Sequence, residues 1–426
     1  MTAAEAFASR HQPHITTTNG AIIIFGLLTI RWIAGILENV GLTSLSEIAA
    51  VTMLAGLLVL HLHRMRLASA TALFCAGLLL WIVSGALSYA ANFDANAHAT
   101  IALLSLLMLY ATFANAAATY LTGPTGLAWM SRFLTAFIAF GCALSLSQIA
   151  TGTGFVETGP HGFQRAFGSD VHPVSFAIQI LAALVALEIA RLKRVLPVTF
   201  AFKCTFILGS IALYLTFART AWVMAALILG SRIVLRGSLA RRVIAAGVVT
   251  TASIAILATS GRFTDLGSLP FFLESFSISN AVFDWRYVDN SVSWRIVNWS
   301  YGLQQALEQP LLGFGPGQSA VSSYFNLEMH NIFLEVFFEG GVLGLFALLI
   351  TLTGLWRMHK HLPAATPGDR SASALTNSFG ITLLLAVTLS TSFVDQLMSF
   401  LLYLLLLTAA SCPTQYTPNH GPCCKY

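Results

Sequence analysis

Apolar residues run in blocks of roughly twenty between residues 21 and 411, parted by short polar stretches. Blocks of that length match the ~20 residues an α-helix needs to cross the hydrocarbon core of a bilayer. The pattern predicts twelve spans, near 19–40, 46–62, 68–91, 98–121, 129–150, 171–191, 198–216, 217–235, 243–260, 330–356, 374–394 and 396–411. The tightest join falls at 216–218, where "YLTFARTAW" sets Arg219 between two apolar runs. The expected fold is an all-α polytopic membrane protein forming a single domain over 1–426.

Two connections break the rhythm, one near 151–170 and one at 261–329. A loop as long as the second, inside a compact membrane protein, is usually functional. Within it, "SVSWRIVNWSYGLQQALEQP" (291–310) reads as a helix ended by Pro310. Ile296, Trp299, Leu303 and Leu307 form an apolar stripe at helical spacing, and Arg295, Asn298, Gly302, Gln305 and Gln309 a polar one. The apolar face is expected to lie on the membrane domain, turning Arg295 toward whatever the loop encloses. The Gly-rich "LLGFGPGQS" that follows reads as a hinge placing the next helix. It lacks the Lys-Ser/Thr of a phosphate-binding loop and follows a helix rather than a strand, which argues against a nucleotide.

Composition agrees with the pattern. Of 426 residues, 56% are hydrophobic and 9% charged, with a mean hydropathy of +0.76; soluble domains carry roughly 25% charged residues. The first apolar run has weakly basic flanks and no small-residue cleavage site after it, unlike a cleaved signal peptide. Six cysteines, three within apolar runs and three near residue 426, suggest no disulfide framework. The net charge of +5 becomes informative only once it is placed by side. With the N-terminus inside, fifteen of the twenty-two Lys and Arg residues, including Arg64, Arg66, Arg132, Arg191, Lys193, Arg241 and Arg357, fall on the inner face. That bias is what the positive-inside rule expects, and it places the loop 261–329 outside.

The remaining cations point to chemistry. Arg165, Arg219, Arg262, Arg286 and Arg295 fall on the external face or its edge, where lysine is absent. A lone arginine there often serves as an interfacial anchor. Yet Arg165, Arg219 and Arg295 come from three separate segments, and guanidinium makes planar bidentate contacts to phosphate oxygens that ammonium cannot. Together they suit a clamp for an anionic group, with pyrophosphate the natural candidate at a membrane surface.

In "EMHNIFLEVFFEGG" (328–341), Asn331, Glu335 and Glu339 share one helix face, and Gly340, Gly341 and Gly344 permit close helix contact. The plain reading of the two glutamates is pairing with arginines inside the bundle. His330 stands at the helix mouth, where an imidazole is the easiest general base to use at neutral pH, although a lone histidine is more often structural. No external residues have metal-ligand spacing, and Asp284 and Asp289 read equally well as solvated loop residues.

At these residues the chain resembles the O-antigen ligase family, which also includes polysaccharide polymerases and protein O-oligosaccharyltransferases. "SWRIVNWSYGLQQALEQPLLGFGPG" is similar to that family's Arg, Trp and Pro-to-Gly-x-Gly-x-Gly run. "MHNIFLEVFFEGGVLGL" resembles its His-Asn, Leu, Glu-x-Gly signature through His330, Asn331, Leu334, Glu339 and Gly340. "FARTAW" is similar to its Ser/Ala-Arg-Thr motif. "QRAFGSDVHPVSFA" resembles an Arg-x-x-Gly-x-x-x-x-Pro segment, with His172 where Asn is commoner.

The resemblance implies a GT-C-like fold of about twelve helices with a large helical periplasmic loop between helices 9 and 10. It implies transfer of a glycan from undecaprenyl pyrophosphate, at the periplasmic face of the bacterial inner membrane, without nucleotide, nucleic acid, cofactor or metal. His330, Arg219 and Arg295 would be catalytic, and Arg165, Asn331, Glu335 and Glu339 would bind pyrophosphate or glycan. The acceptor would be lipid A-core for a ligase, or a second lipid-linked glycan for a polymerase. A transporter of the same lipid is the reading from another class. It is opposed by charged groups that crowd one face rather than the midplane, and by a long loop without a counterpart in the first half.

Overall fold

The computed structural model describes residues 17–39, 45–62, 69, 71–92, 97–156, 164–170, 172–236, 269–276, 292–325, 327–389 and 396–412. Within them the chain is almost wholly helical. The order is α1 (Thr17–Asn39), α2 (Leu45–Leu62), α3 (Ala72–Ala91), α4 (Ala97–Tyr120), α5 (Pro124–Thr151), β1 (Phe155–Val156), β2 (Gln164–Arg165), α6 (Pro173–Leu192), α7 (Phe200–Leu215) and α8 (Arg219–Arg236). Beyond these come α9 (Leu269–Ser275), α10 (Ser293–Ala306), α11 (Gln318–Ser322), α12 (Ile332–Lys360), α13 (Pro367–Leu389) and α14 (Leu397–Ser411).

Eleven of the twelve expected spans coincide with helices. The stretch 243–260, like Arg262, Asp284, Arg286 and Asp289, lies outside the described residues. Among the described residues, seven helices are long and apolar enough to cross a membrane: α1, α3, α4, α5, α6, α12 and α13. The apolar parts of α2, α7, α8 and α14 are 10–17 residues long. At ~1.5 Å per residue these are short for a bilayer core of about 30 Å.

The center of the bundle is α6, buried along nearly its whole length between α5, α7, α13 and α14. A helix apolar all round suits that position, because no face of it needs water. At its end, Lys193 Nζ donates to Asp369 Oδ1 at 2.6 Å with both side chains buried. Asp369 also receives the N–H and hydroxyl of Thr366, so the paired carboxylate is well satisfied.

The broadest helix contact joins α3 to α12. Small residues set the spacing: a Cβ on Gly77 would lie 2.5 Å from the Thr351 backbone nitrogen. Higher up, α12 breaks at Gly341 (φ 61°, ψ −156°), a conformation open essentially to glycine alone. The turn at 311–317 docks into this break. Phe314 and Gly315 donate their N–H groups to the carbonyls of Phe338 and Glu339, and Val342 donates to that of Pro310. The Gly-rich stretch is therefore a clasp on the helix it precedes.

α10 packs on α12 with the opposite face from the one its pattern suggests. Asn298, Gly302 and Ala306 are buried, whereas Leu303 and Leu307 are 44% and 60% exposed. The cause is local. Gly302 admits the Met329 side chain, whose methyl carbon a Cβ there would meet at 2.4 Å. Asn298 Nδ2 donates to the carbonyls of Leu327 and Glu328, bonds no apolar side chain can make.

Candidate functional site at one end of the bundle

Three peptide segments meet where α6, α8 and α12 begin. The first is the β1–β2 hairpin and its continuation to His172. Ala166 N–H donates to the Leu215 carbonyl, and Arg165 Nε donates to that of Thr216 at 3.0 Å. These bonds fasten Arg165 to the turn between α7 and α8, which Phe217 makes possible by adopting a positive φ of 47°. Arg219, the first residue of α8, follows at once. Burial, with the nearby Arg219 guanidinium adding to it, lowers the Arg165 pKa to about 10. Arg165 is still charged at pH 7, so two like charges share a desolvated corner.

The second segment is the approach to α12. α10 holds it by three side chains: Asn298 binds the carbonyls of Leu327 and Glu328, Trp299 Nε1 donates to that of Met329 at 2.6 Å, and Gly302 receives the Met329 side chain. His330 follows in the left-handed region, at φ 53°, a strained conformation for a residue with a Cβ. Its Nδ1 lies 2.9 Å from the Glu328 carbonyl and donates to it, which leaves the lone pair on Nε2. Burial lowers the His330 pKa, and nearby Arg295 adds to the effect against the opposing bond to Glu328. Trp294 stands between the two: its ring meets the His330 ring edge-on at 5.3 Å, and the Arg295 guanidinium lies 4.8 Å from its centroid.

The third element is the start of α12 itself. Asn331 caps the helix, its Oδ1 accepting the N–H groups of Phe333 and Leu334. Glu335 is buried one turn below. Glu339 does not meet an arginine among the described residues. Its Oε1 instead accepts the Ser319 hydroxyl at 2.6 Å and N–H at 3.3 Å, and the Gly317 amide also binds the carboxylate. The break at Gly341 explains the difference, because it brings the 311–319 turn over this face.

The structure thus gathers Arg165, Arg219, Arg295 and His330 at one end, with Asn331, Glu335 and Glu339 leading away along α12. It adds His172, which caps α6 through Nδ1 and lies within the electrostatic reach of Arg165 and His330. Trp294, Asn298 and Trp299 also belong to the site as supports. Trp294 had no sequence signal beyond adjoining Arg295, Asn298 read only as part of the polar stripe, and Trp299 read as packing.

These features define a polytopic helical membrane protein with a cationic, histidine-bearing site at one end of its bundle. Residues 204–349, from α7 to the middle of α12, match the model of the O-antigen ligase family. The matched stretch includes Arg219, Arg295, His330, Asn331, Glu335 and Glu339, while Arg165 and His172 precede it. The match supports a ligase- or polymerase-like glycosyltransferase function, and the family implies a lipid-linked glycan, a lipid acceptor and a bilayer as partners. No curated protein matches the chain.

Proposed function

We propose that this protein is an O-antigen ligase that transfers a polysaccharide from undecaprenyl pyrophosphate to lipid A-core at the periplasmic face of the inner membrane. The observation that carries the reading is the crowding of Arg165 against Arg219 beside His330 and Arg295. Guanidiniums gathered in a half-buried site raise the local positive potential and favor an anion that enters it. Pyrophosphate is such an anion, and arginine matches its oxygens in pairs.

In the proposed reaction an acceptor hydroxyl oxygen attacks the anomeric carbon as the bond to the pyrophosphate oxygen breaks. The electron pair leaves with undecaprenyl pyrophosphate, where Arg165, Arg219 and Arg295 stabilize the growing charge. Donors fixed in advance at the site of charge development are the most effective form of such stabilization. The hydroxyl proton passes to His330 Nε2, the nitrogen that the Glu328 bond leaves basic. Single displacement inverts the anomeric center. The arginines supply the charge stabilization that a metal would otherwise provide, so the step is proposed to be metal-independent.

Reconstituted protein given undecaprenyl pyrophosphate-linked glycan and lipid A-core should form inverted glycosyl lipid A-core, resistant to EDTA. Product formed only on a second lipid-linked glycan would make the protein a polymerase. Movement of donor across the membrane with no release of undecaprenyl pyrophosphate would make it a transporter. Gene deletion separates the enzymes in cells: loss of all long-chain lipopolysaccharide marks a ligase, and core plus one repeat unit a polymerase.

A further inference from the structure

A cavity of about 380 Å³ lies between α3, α12, α13 and α14, within the roughly 300–1,000 Å³ of small-molecule sites. Its lining changes character along its length. Toward the end of α12 remote from the candidate site it is polar, with His359, Lys360, Asn377 and Tyr403. Gly380 makes room for this cluster. A Cβ there would lie 2.6 Å from the Tyr403 hydroxyl and 3.1 Å from His359 Nε2, the two groups that hydrogen-bond each other. The middle is aliphatic and aromatic, formed by Leu78, Leu352, Leu355, Leu384 and Phe400. At the site end stand Ile332, Val387 and Gln396, and the Gln396 amide is already engaged by Ser175 and Ser399. The cavity opens sideways, because Trp356 and Ile381 on its wall are 55% and 62% exposed. In a bilayer that mouth faces lipid. The Lys360 ammonium lies 3.8 Å from the Trp356 ring centroid, which sets a cation over the mouth.

This polarity is the reverse of what a lipid-linked donor needs, since such a lipid carries its charge at the site end. We propose that the cavity binds an anionic phospholipid of the leaflet opposite the candidate site, with its phosphate on Lys360 and an acyl chain running between α12 and α13 toward Ile332. Basic pockets between membrane helices suit anionic head groups. The length agrees: from Lys360 to Leu348, both on the cavity wall, α12 rises about 18 Å at ~1.5 Å per residue. One leaflet offers a hydrocarbon depth of about 15 Å, half of a ~30 Å core. A basic last turn also complements the helix dipole, and Arg357, His359 and Lys360 all serve that end. Only His359 and Lys360 of the three line the cavity, which separates a lipid site from an ordinary basic helix end. Ile332 is two residues from His330, so the bound chain braces the start of the helix that bears the site.

The purified full-length protein in detergent tests this with added phosphatidylglycerol, phosphatidylcholine or inorganic phosphate. Phosphatidylglycerol should raise the melting temperature of wild type well above the other two. Lys360→Gln, at an exposed position, should melt like wild type without lipid. It should bind phosphatidylglycerol about fivefold or more weakly, the scale of one basic residue at an anionic surface. Arg357→Gln, in the same turn but off the cavity wall, should bind it as wild type does. Leu352→Trp, which fills the cavity, should lose the lipid shift while Lys360 stays in place; if that variant fails to fold, Lys360→Gln against Arg357→Gln decides. Equal shifts from the two phospholipids would show a gap that any chain fills. A shift from phosphate alone would leave a surface anion site, and equal weakening in Lys360→Gln and Arg357→Gln would leave diffuse surface charge. Each of these three results overturns the proposal. Transfer activity enters none of the readings, so they stand or fall apart from the ligase assignment.

Discussion

Trp299 donates its indole N–H to the Met329 carbonyl at 2.6 Å, one residue before His330. A helix of the long loop thus sets the base of the proposed reaction. Trp299→Phe keeps most of the ring but strands that carbonyl, at a cost of about 1–3 kcal/mol if it stays dry. Transfer should fall by roughly 10-fold, the equivalent of ~1.4 kcal/mol, with the protein still folded. Steady-state rates beside a melting curve would check this. An unchanged rate would mean that His330 keeps its place without the bond.

His330 combines strain with chemistry, and the two can be parted. At φ 53° a glycine relieves strain of about 1–3 kcal/mol. His330→Gly should therefore melt close to wild type, the relieved strain offset by the lost ring contact with Trp294 and the lost bond to the Glu328 carbonyl, yet lose ~10²–10⁴-fold in turnover. Retained turnover would exclude His330 as the base.

The pH profile follows from the lowered pKa of His330. Only the neutral ring accepts a proton, so activity is lost as pH falls through its folded pKa. Burial and Arg295 push that value below the ordinary imidazole range. The acid limb of kcat/KM should accordingly lie below pH ~6.5, and Arg295→Gln should move it upward. A limb above that value would contradict the electrostatics.

His172 makes a matching prediction for stability. Its pKa is about 4 in the folded state against ~6.5 unfolded. Between those values the unfolded chain binds more protons, so stability declines as pH falls from 6.5 toward 4. In His172→Asn the melting temperature should decline less steeply over that window.

Arg219→Lys keeps the charge but not the paired donors. It should lose most transfer activity while the protein melts normally. Near-normal rates would make Arg219 a steering charge or an interfacial anchor.

Gly341→Ala should be severe. The backbone there adopts φ 61°, and a Cβ would lie 2.4 Å from the Leu311 carbonyl carbon. A fall in folded yield and melting temperature is expected, worth several kcal/mol or more (~3). Normal stability would mean that the clasp yields more easily than its bonds suggest.

How much of this was written in the chain depends on which contacts decide each element. Spans were legible because apolar length alone selects them, and even the join at 216–218 showed through Arg219. The packed face of α10 was not. Periodicity assigns apolar residues to the interior, but Asn298 and Trp299 are committed by carbonyls thirty residues away or nearly so, at Leu327, Glu328 and Met329. Glu339 drew an expectation of arginine pairing that the Ser319 turn replaces, because the break at Gly341 leaves no trace in hydropathy. The convergence of Arg165, Arg219, Arg295 and His330 was legible only as residue types on one side.

The bond between Lys193 and Asp369 also bears on how the chain is made. Its partners lie 176 residues apart, and α6 is enclosed by α13 and α14, which a ribosome produces long after it. During synthesis the central helix must wait at the translocon, or be held by a chaperone, with an ammonium group whose counter-ion does not yet exist. A chain stopped after Lys360 contains every residue of the proposed chemistry, yet it has nothing to close around α6. Quality control should destroy such a product, so nonsense mutations late in the gene should be as damaging as those in the site.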